Sequence, residues 1–169
     1  MVYIAAVPDT PLSPIWLAMS GGGLVAVEIQ ASQADFTRQL ERRGDSPVLF
    51  DPVRLAEAVG ELQEYLAGSR RSFEILIDWS RMGSFQQSAL RATLAIPYGE
   101  TRTYSQIASQ IRRPRAARAV GRAEATNPLP LVIPCHRVVG TDGKLHGYGA
   151  PGGIKTKAWL LDLERQRED

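Results

Sequence analysis

One cysteine, Cys135, and two histidines are all that 169 residues supply of the side chains that most often build disulfides and zinc sites. A lone cysteine excludes an internal disulfide, and with no Cys/His cluster there is no zinc site of the usual spacing. A reducing compartment therefore fits, and no metal is expected. No apolar run approaches membrane-spanning length. The first eight residues lack the charged leader and long apolar core of a signal peptide, so a cytoplasmic protein with no membrane partner is expected. There is neither an internal repeat nor a low-complexity tract. What is present, 44% hydrophobic residues in a chain of this length, can bury a core in one domain or two small ones.

The net charge of +2 conceals an asymmetry. Residues 1–80 hold 6 Lys/Arg against 11 Asp/Glu, and residues 81–169 hold 14 against 7, so an acidic half precedes a basic one. A basic half can meet a polyanion, and an acidic half should avoid it. We divide the chain there, into an N-terminal α/β scaffold domain (1–80) and a C-terminal domain (81–169) that carries the chemistry.

In the first half, two short apolar runs flank Ser20-Gly21-Gly22-Gly23, which predicts a β-hairpin with a permissive turn. Helices are predicted over 32–43 and 51–66. The second is expected to be capped by Asp51 with Pro52 in its first position, to end at Gly68, and to bury Leu55, Val59, Leu62 and Leu66. Residues 73–79 read as a strand. Strands followed by helices make a small α/β scaffold.

In the second half, Ser84 and Gln87 have capping-box spacing and open a helix running to about Ala95, which Pro97 stops. Thr103 and Gln106 form a second capping box. Behind it Tyr104, Ile107, Ala108 and Ile111 fall on one helical face. A third helix follows Arg113-Pro114. Ala116, Ala119, Val120 and Ala123 should be its buried face, with Arg115, Arg118 and Arg122 on another. Two short helices around a tight turn make a helix-turn-helix candidate. Arginine stripes are commonly just solvated faces. Here five arginines fall between Arg112 and Arg122 with no acid among them, which leaves their charge for phosphates. Ala117, Ala119 and Gly121 keep the helix slim enough for close approach to a groove.

The remaining stretch, residues 131–139, reads as a buried strand that Pro134 interrupts where the thiol appears. An isolated cysteine is often a small buried hydrophobe. A nucleophilic one needs a base or a positive environment, and His136 and Arg137 could supply both. Neighbours in an extended segment face opposite ways, so Cys135 and His136 would communicate through a local turn or a bridging water; the water is the reading favoured here.

Ile133-Pro134-Cys135-His136-Arg137-Val138 resembles the active-site signature of the O6-alkylguanine-DNA alkyltransferases. The likeness extends through Ile96-Pro97-Tyr98-Gly99-Glu100-Thr101, Tyr104, Arg118-Ala119-Val120-Gly121, Asn127-Pro128, Gly147-Tyr148-Gly149, Trp159-Leu160-Leu161 and Glu164, and so covers residues 80–165. The resemblance implies a ribonuclease-H-like N-terminal domain and a mainly α, winged-helix-like C-terminal domain. It also implies a monomer that needs no cofactor and acts on double-stranded DNA containing O6-alkylguanine.

By that resemblance Glu164 orients His136, and His136 takes the Cys135 proton through a water. The thiolate then attacks the alkyl carbon, and Tyr104 donates to the departing guanine. Asn127 braces the turn between helix and catalytic segment. Pro130, Tyr148 and Gly149 wall the pocket, and Val138 reads the base edge through its backbone. The helix bearing Arg115, Ala117, Ala119, Gly121 and Arg122 enters the minor groove, and Arg118 fills the gap left by a flipped nucleotide. The product is a thioether, so the protein should react once. Glu124, which puts an acid near phosphates, and a longer Tyr148-to-Trp159 loop depart from the family pattern.

Three alternatives remain at this stage: a lesion binder that flips alkylguanine without reacting, a helix-turn-helix regulator with a structural cysteine, and a cysteine hydrolase. Cys135 argues against the first. Strong preference for one unmodified sequence would mark the second, and turnover of small esters the third.

Overall fold

The computed structural model describes residues 1–166 and divides into two compact units, Met1–Arg81 and Met82–Asp169. Unit one is built on a four-stranded sheet of β1 (Val2–Val7), β2 (Ile15–Ser20), β3 (Gly23–Ile29) and β4 (Val48–Phe50), in the order β3-β2-β1-β4. β2 and β3 form the hairpin expected from the glycine run, with Ser20 opposite Gly23. Gly23 has φ +129°, and a Cβ there would lie 2.5 Å from the Leu76 carbonyl oxygen, so both conformation and space demand glycine. β1, unremarked in the sequence, pairs antiparallel with β2 and parallel with β4. The parallel pairing needs a crossover, and α1 (Gln33–Arg42) lies in the chain between β3 and β4. Ser32 caps α1 by accepting from the Asp35 N–H, and Phe36 and Leu40 pack into a cluster with Val2, Ile4, Trp16 and Ala18.

Three expectations in this unit need correction. The second helix, α2 (Ala56–Leu66), starts later than Asp51: that carboxylate accepts from the Arg54 N–H and caps only a turn. α2 buries Leu62 and Leu66, and Leu55 at its N-cap is buried too. Ala58 takes the buried place expected of Val59, which is half-buried. At its end the Gly68 N–H bonds Tyr65 O and the Ser69 N–H bonds Glu64 O, with Gly68 at φ +76°, a left-handed termination. The expected strand at 73–79 is a single bridge, Ile77 to Leu24, with Leu76 75% exposed. The β-prone composition was real, but the segment pairs at one point only and runs into a 3-10 turn, Trp79–Arg81.

Unit two packs α3 (Ser84–Leu94), α4 (Tyr104–Gln110) and α5 (Ala117–Ala125) around Ala89, Ile96, Ile107, Ala108, Val120, Ala123 and Val138. The Thr103/Gln106 capping box forms with both of its bonds, worth about 1 kcal/mol. The Ser84 box does not, because Gly83 occupies the N-cap and no side chain caps the helix. Arg112, at φ +60°, ends α4. On α5 Val120 and Ala123 are buried and Ala116 is half-buried, but Ala119 is exposed, and its expected place in the core goes to Glu124. Arg115, Arg118 and Arg122 are exposed.

Strands β5 (Arg102–Thr103) and β6 (Val138–Val139) pair in parallel, Thr103 opposite Val139, which sets Tyr104 beside the chain that leaves Cys135. The last helix, α6 (Ile154–Arg165), buries Thr156, Lys157, Leu160, Leu161 and Glu164. Ile154, at its start, is 50% exposed. No helix among the described residues is long and apolar enough to cross a membrane.

Candidate active site

Residues 131–140 are all buried, as the apolar run requires, but the segment before the cysteine is not a strand. Leu131 takes φ +74°, the Ile133 N–H turns back to Leu129 O, and Cys135–Arg137 form a 3-10 turn that leads into β6. Pro134, which has no N–H to offer a ladder, begins that turn, and its carbonyl accepts from the Arg137 N–H at 2.9 Å. Asn127 holds the bend from the end of α5: its Nδ2 donates to Ile133 O at 3.0 Å, and its Oδ1 accepts from the Leu129 N–H at 2.9 Å. One amide thus ties the helix to the turn that carries Cys135.

The thiol lines a cavity of about 440 Å³ together with Tyr104, Gly121, Glu124, Ala125, His146 and the loop 147–149. Gly149 sits so close to α5 that a Cβ would lie 2.8 Å from Ala125 O, whereas one on Gly121 would meet the Tyr104 ring at an ordinary 3.8 Å. Gly149 is therefore fixed by packing, whereas Gly121 has room for a methyl group. A second cavity shares Tyr104, Gly121 and His146 and adds Ala117 and Arg118. Pro130 and Val138 line neither. Pro130 is half-buried, and Val138 is fully buried with its carbonyl engaged by Lys157.

Behind the thiol lies a fully buried polar group. Glu164 accepts from His136 Nε2 at 2.8 Å, from Arg137 Nε at 2.9 Å and Nη2 at 2.9 Å, and from the Gly99 N–H at 3.1 Å. Burial alone would push this carboxyl up. The hydrogen bonds from His136 and Arg137 and the Arg137 charge outweigh it and hold Glu164 well below the usual carboxylate range. Burial pushes His136 down, so the imidazole is neutral near pH 7. With an ionised Glu164 on Nε2, that nitrogen carries the proton and Nδ1 is the basic one.

Burial pushes the Cys135 thiol up to about 12, despite an Asn127 hydrogen bond and the Lys157 charge that favour the thiolate. The resting site therefore holds a neutral thiol and a neutral base. Burial also raises Tyr104, with the negative charges of Glu124 and a Cys135 thiolate adding to it, so its hydroxyl remains a donor.

Three participants escaped the sequence reading. Lys157 is a buried amine whose Nζ donates to Val138 O at 2.6 Å and His146 O at 3.0 Å, tying α6 to the strand after the cysteine and to the loop. Arg137 was noted only as nearby charge, yet it also donates to Ile96 O at 2.7 Å. Glu124 was read as an acid near phosphates; it lies inside the unit, against the thiol's cavity. Its only advance signal was an acid on the small-residue side of a basic helix.

Comparison with known proteins gives matches along both units. Residues 1–79 match the ribonuclease-like domain, and residues 84–166 the DNA binding domain, of 6-O-methylguanine DNA methyltransferase. A methylated-DNA--protein-cysteine methyltransferase of Mycobacterium bovis is 44% identical over 94% of this chain and 90% of its own length. The crystal structure of Mycobacterium tuberculosis O6-methylguanine methyltransferase superposes with TM-score 0.84 at 41% identity, covering 100% of this chain and 96% of that one. A second structure, Mycobacterium tuberculosis OGT in complex with DNA, gives 0.81 at 40% identity, covering 98% and 93%.

Proposed function

Because the chain belongs to the 6-O-methylguanine DNA methyltransferase family, we propose that it repairs DNA by moving the alkyl group of O6-alkylguanine onto its own Cys135, once per molecule. The observation that carries this reading is the thiol at the wall of a cavity, backed by a buried, correctly ionised Glu164–His136 pair. His136 Nδ1 takes the thiol proton through a bridging water. Sγ attacks the alkyl carbon in line as the carbon–O6 bond breaks, and Tyr104 donates to the O6 of the leaving guanine.

A thiol raised to about 12 is inert until the substrate and the base engage it, which protects a single-use residue from stray electrophiles. The thioether formed has no carbonyl for water to attack, so nothing regenerates the cysteine. The exposed Arg115, Arg118 and Arg122 hold backbone phosphates. Arg118, at the cavity next to the thiol's own, takes the flipped nucleotide's place in the stack. The protein acts as a monomer on double-stranded DNA containing O6-alkylguanine.

Intact-mass measurement after incubation with O6-methylguanine duplex tests the reading. One methyl increment on the peptide containing Cys135, and none on Cys135→Ser, is expected. Release of many equivalents of repaired DNA per protein would refute it.

A further inference from the structure

Glu124 is a carboxyl with 6% of its surface exposed, on the face of α5 that lines the cavity holding Cys135. Its Oε1 lies 2.5 Å from Thr93 Oγ1, while Oε2 has no hydrogen-bond partner among the described residues. Thr93 Oγ1 is also 3.1 Å from Ala89 O on its own helix, and one hydroxyl proton serves only one of the two. When it goes to Ala89, the short contact to Oε1 requires the carboxyl's own proton. The contact is therefore compatible with either protonation state of the carboxyl, whose side chain borders the cavity. An adduct held against Sγ occupies that same space.

We propose that Glu124 is a specificity-determining residue that sorts O6 adducts by charge, admitting neutral alkyl groups and rejecting anionic ones such as carboxymethyl. The proposal rests on the alkyl-transfer reading and deepens it. The charged and titratable groups around Glu124 are Lys157 from α6, Tyr104 from α4, Cys135 from the catalytic turn, and His146 and Tyr148 from the loop; α3 contributes the Thr93 hydroxyl. Lys157 is the one fixed cation in this set. Its Nζ is committed to two carbonyls, and it does not line the cavity, so it cannot present its charge to the adduct as Glu124 does. Burial pushes the Glu124 carboxyl up to about 7, against the Thr93 bond and the Lys157 charge, which places its ionisation inside the working pH range. A carboxymethyl group stays ionised throughout that range.

The test is the ratio of carboxymethyl to methyl transfer onto Cys135, read by intact mass in single-turnover time courses on the two modified duplexes at pH 6 and pH 8.5. Effects on thiol ionisation, folding and DNA affinity are common to both substrates and cancel in the ratio. For the wild type the ratio should fall about tenfold or more between the two pH values, the size expected of like charges a few ångströms apart in a partly dry cavity. For Glu124→Gln it should be flat, and should exceed the wild-type ratio at pH 8.5 by a similar factor. Methyl transfer with a pH-independent wild-type ratio, or a Glu124→Gln ratio that tracks the wild type, overturns this inference alone. Should Glu124→Gln fail to fold, His146→Gln, which removes the histidine on the same cavity wall, decides: a ratio that still falls between pH 6 and pH 8.5 supports the inference, and a flat one overturns it. Absence of any methyl adduct on Cys135 overturns the alkyl-transfer reading, and this inference with it.

Discussion

Replacing Glu164 by glutamine should cost far more than a surface charge would. The carboxylate takes four donors from three residues, two of which lie in the catalytic turn. Arg137, 6% exposed, would keep its bond to Ile96 O but would be left as a buried cation without its counter-charge. Breaking a buried pair from one side costs roughly 3–5 kcal/mol. That is a large share of the ~5–15 kcal/mol that holds a typical domain. Urea titration of Glu164→Gln against the wild type should show a loss of this size at pH 7.

Because the folded Glu164 pKa is depressed, its contribution is fully present above the unfolded carboxylate value near 4.3 and fades as pH falls below that value toward the folded one. The gap between the two proteins should therefore be widest at neutral pH and close in acid. Replacing both partners, Arg137→Met with Glu164→Met, should recover part of the stability, because no unpaired charge stays buried. It should not recover alkyl transfer, because His136 has lost the group that orients it. A Glu164→Gln protein within about 1 kcal/mol of wild type at pH 7 would refute this account of the buried site.

Three further outcomes follow from the same geometry. Asn127→Ala removes both bonds that bend the chain from α5 into the catalytic turn; it should cost about 1–3 kcal/mol in urea titration and slow transfer onto Cys135, and a full-speed variant would mean the turn holds itself. Arg118→Ala should slow repair of duplex DNA far more than reaction with free O6-benzylguanine, compared by single-turnover rates, and equal losses would assign Arg118 to the fold or the pocket. Since burial holds His136 below its ordinary value of about 6.5, the rate should persist to mildly acid pH and drop only as the imidazole gains a proton, an acid limb that His136→Gln should abolish.

Several local rules read from the sequence met the structure where the deciding partners lie within a few residues, although the Ser84 box and the Asp51 helix cap did not form. The Thr103/Gln106 box, the glycine hairpin and the Gly68 termination are such cases, because each depends on near neighbours that residue type alone can specify. The signature around Cys135, with its resemblance to a known family, carried the chemistry, and the exposed arginines of α5 followed from charge unbalanced along one helix. The same local rules failed where partners are distant or absent. Residues 73–79 had strand composition but pair at one point, and the run before Cys135 was apolar enough for a strand yet folds as a turn held by Asn127. Glu164, 28 residues from His136, was placed behind it by resemblance and not by any periodicity. Lys157 and Glu124 read as polar residues on short helices. Only packing shows them buried, since burial of a charge depends on what the rest of the chain folds over it: two carbonyl oxygens for Lys157, and the Thr93 hydroxyl and the thiol's cavity for Glu124.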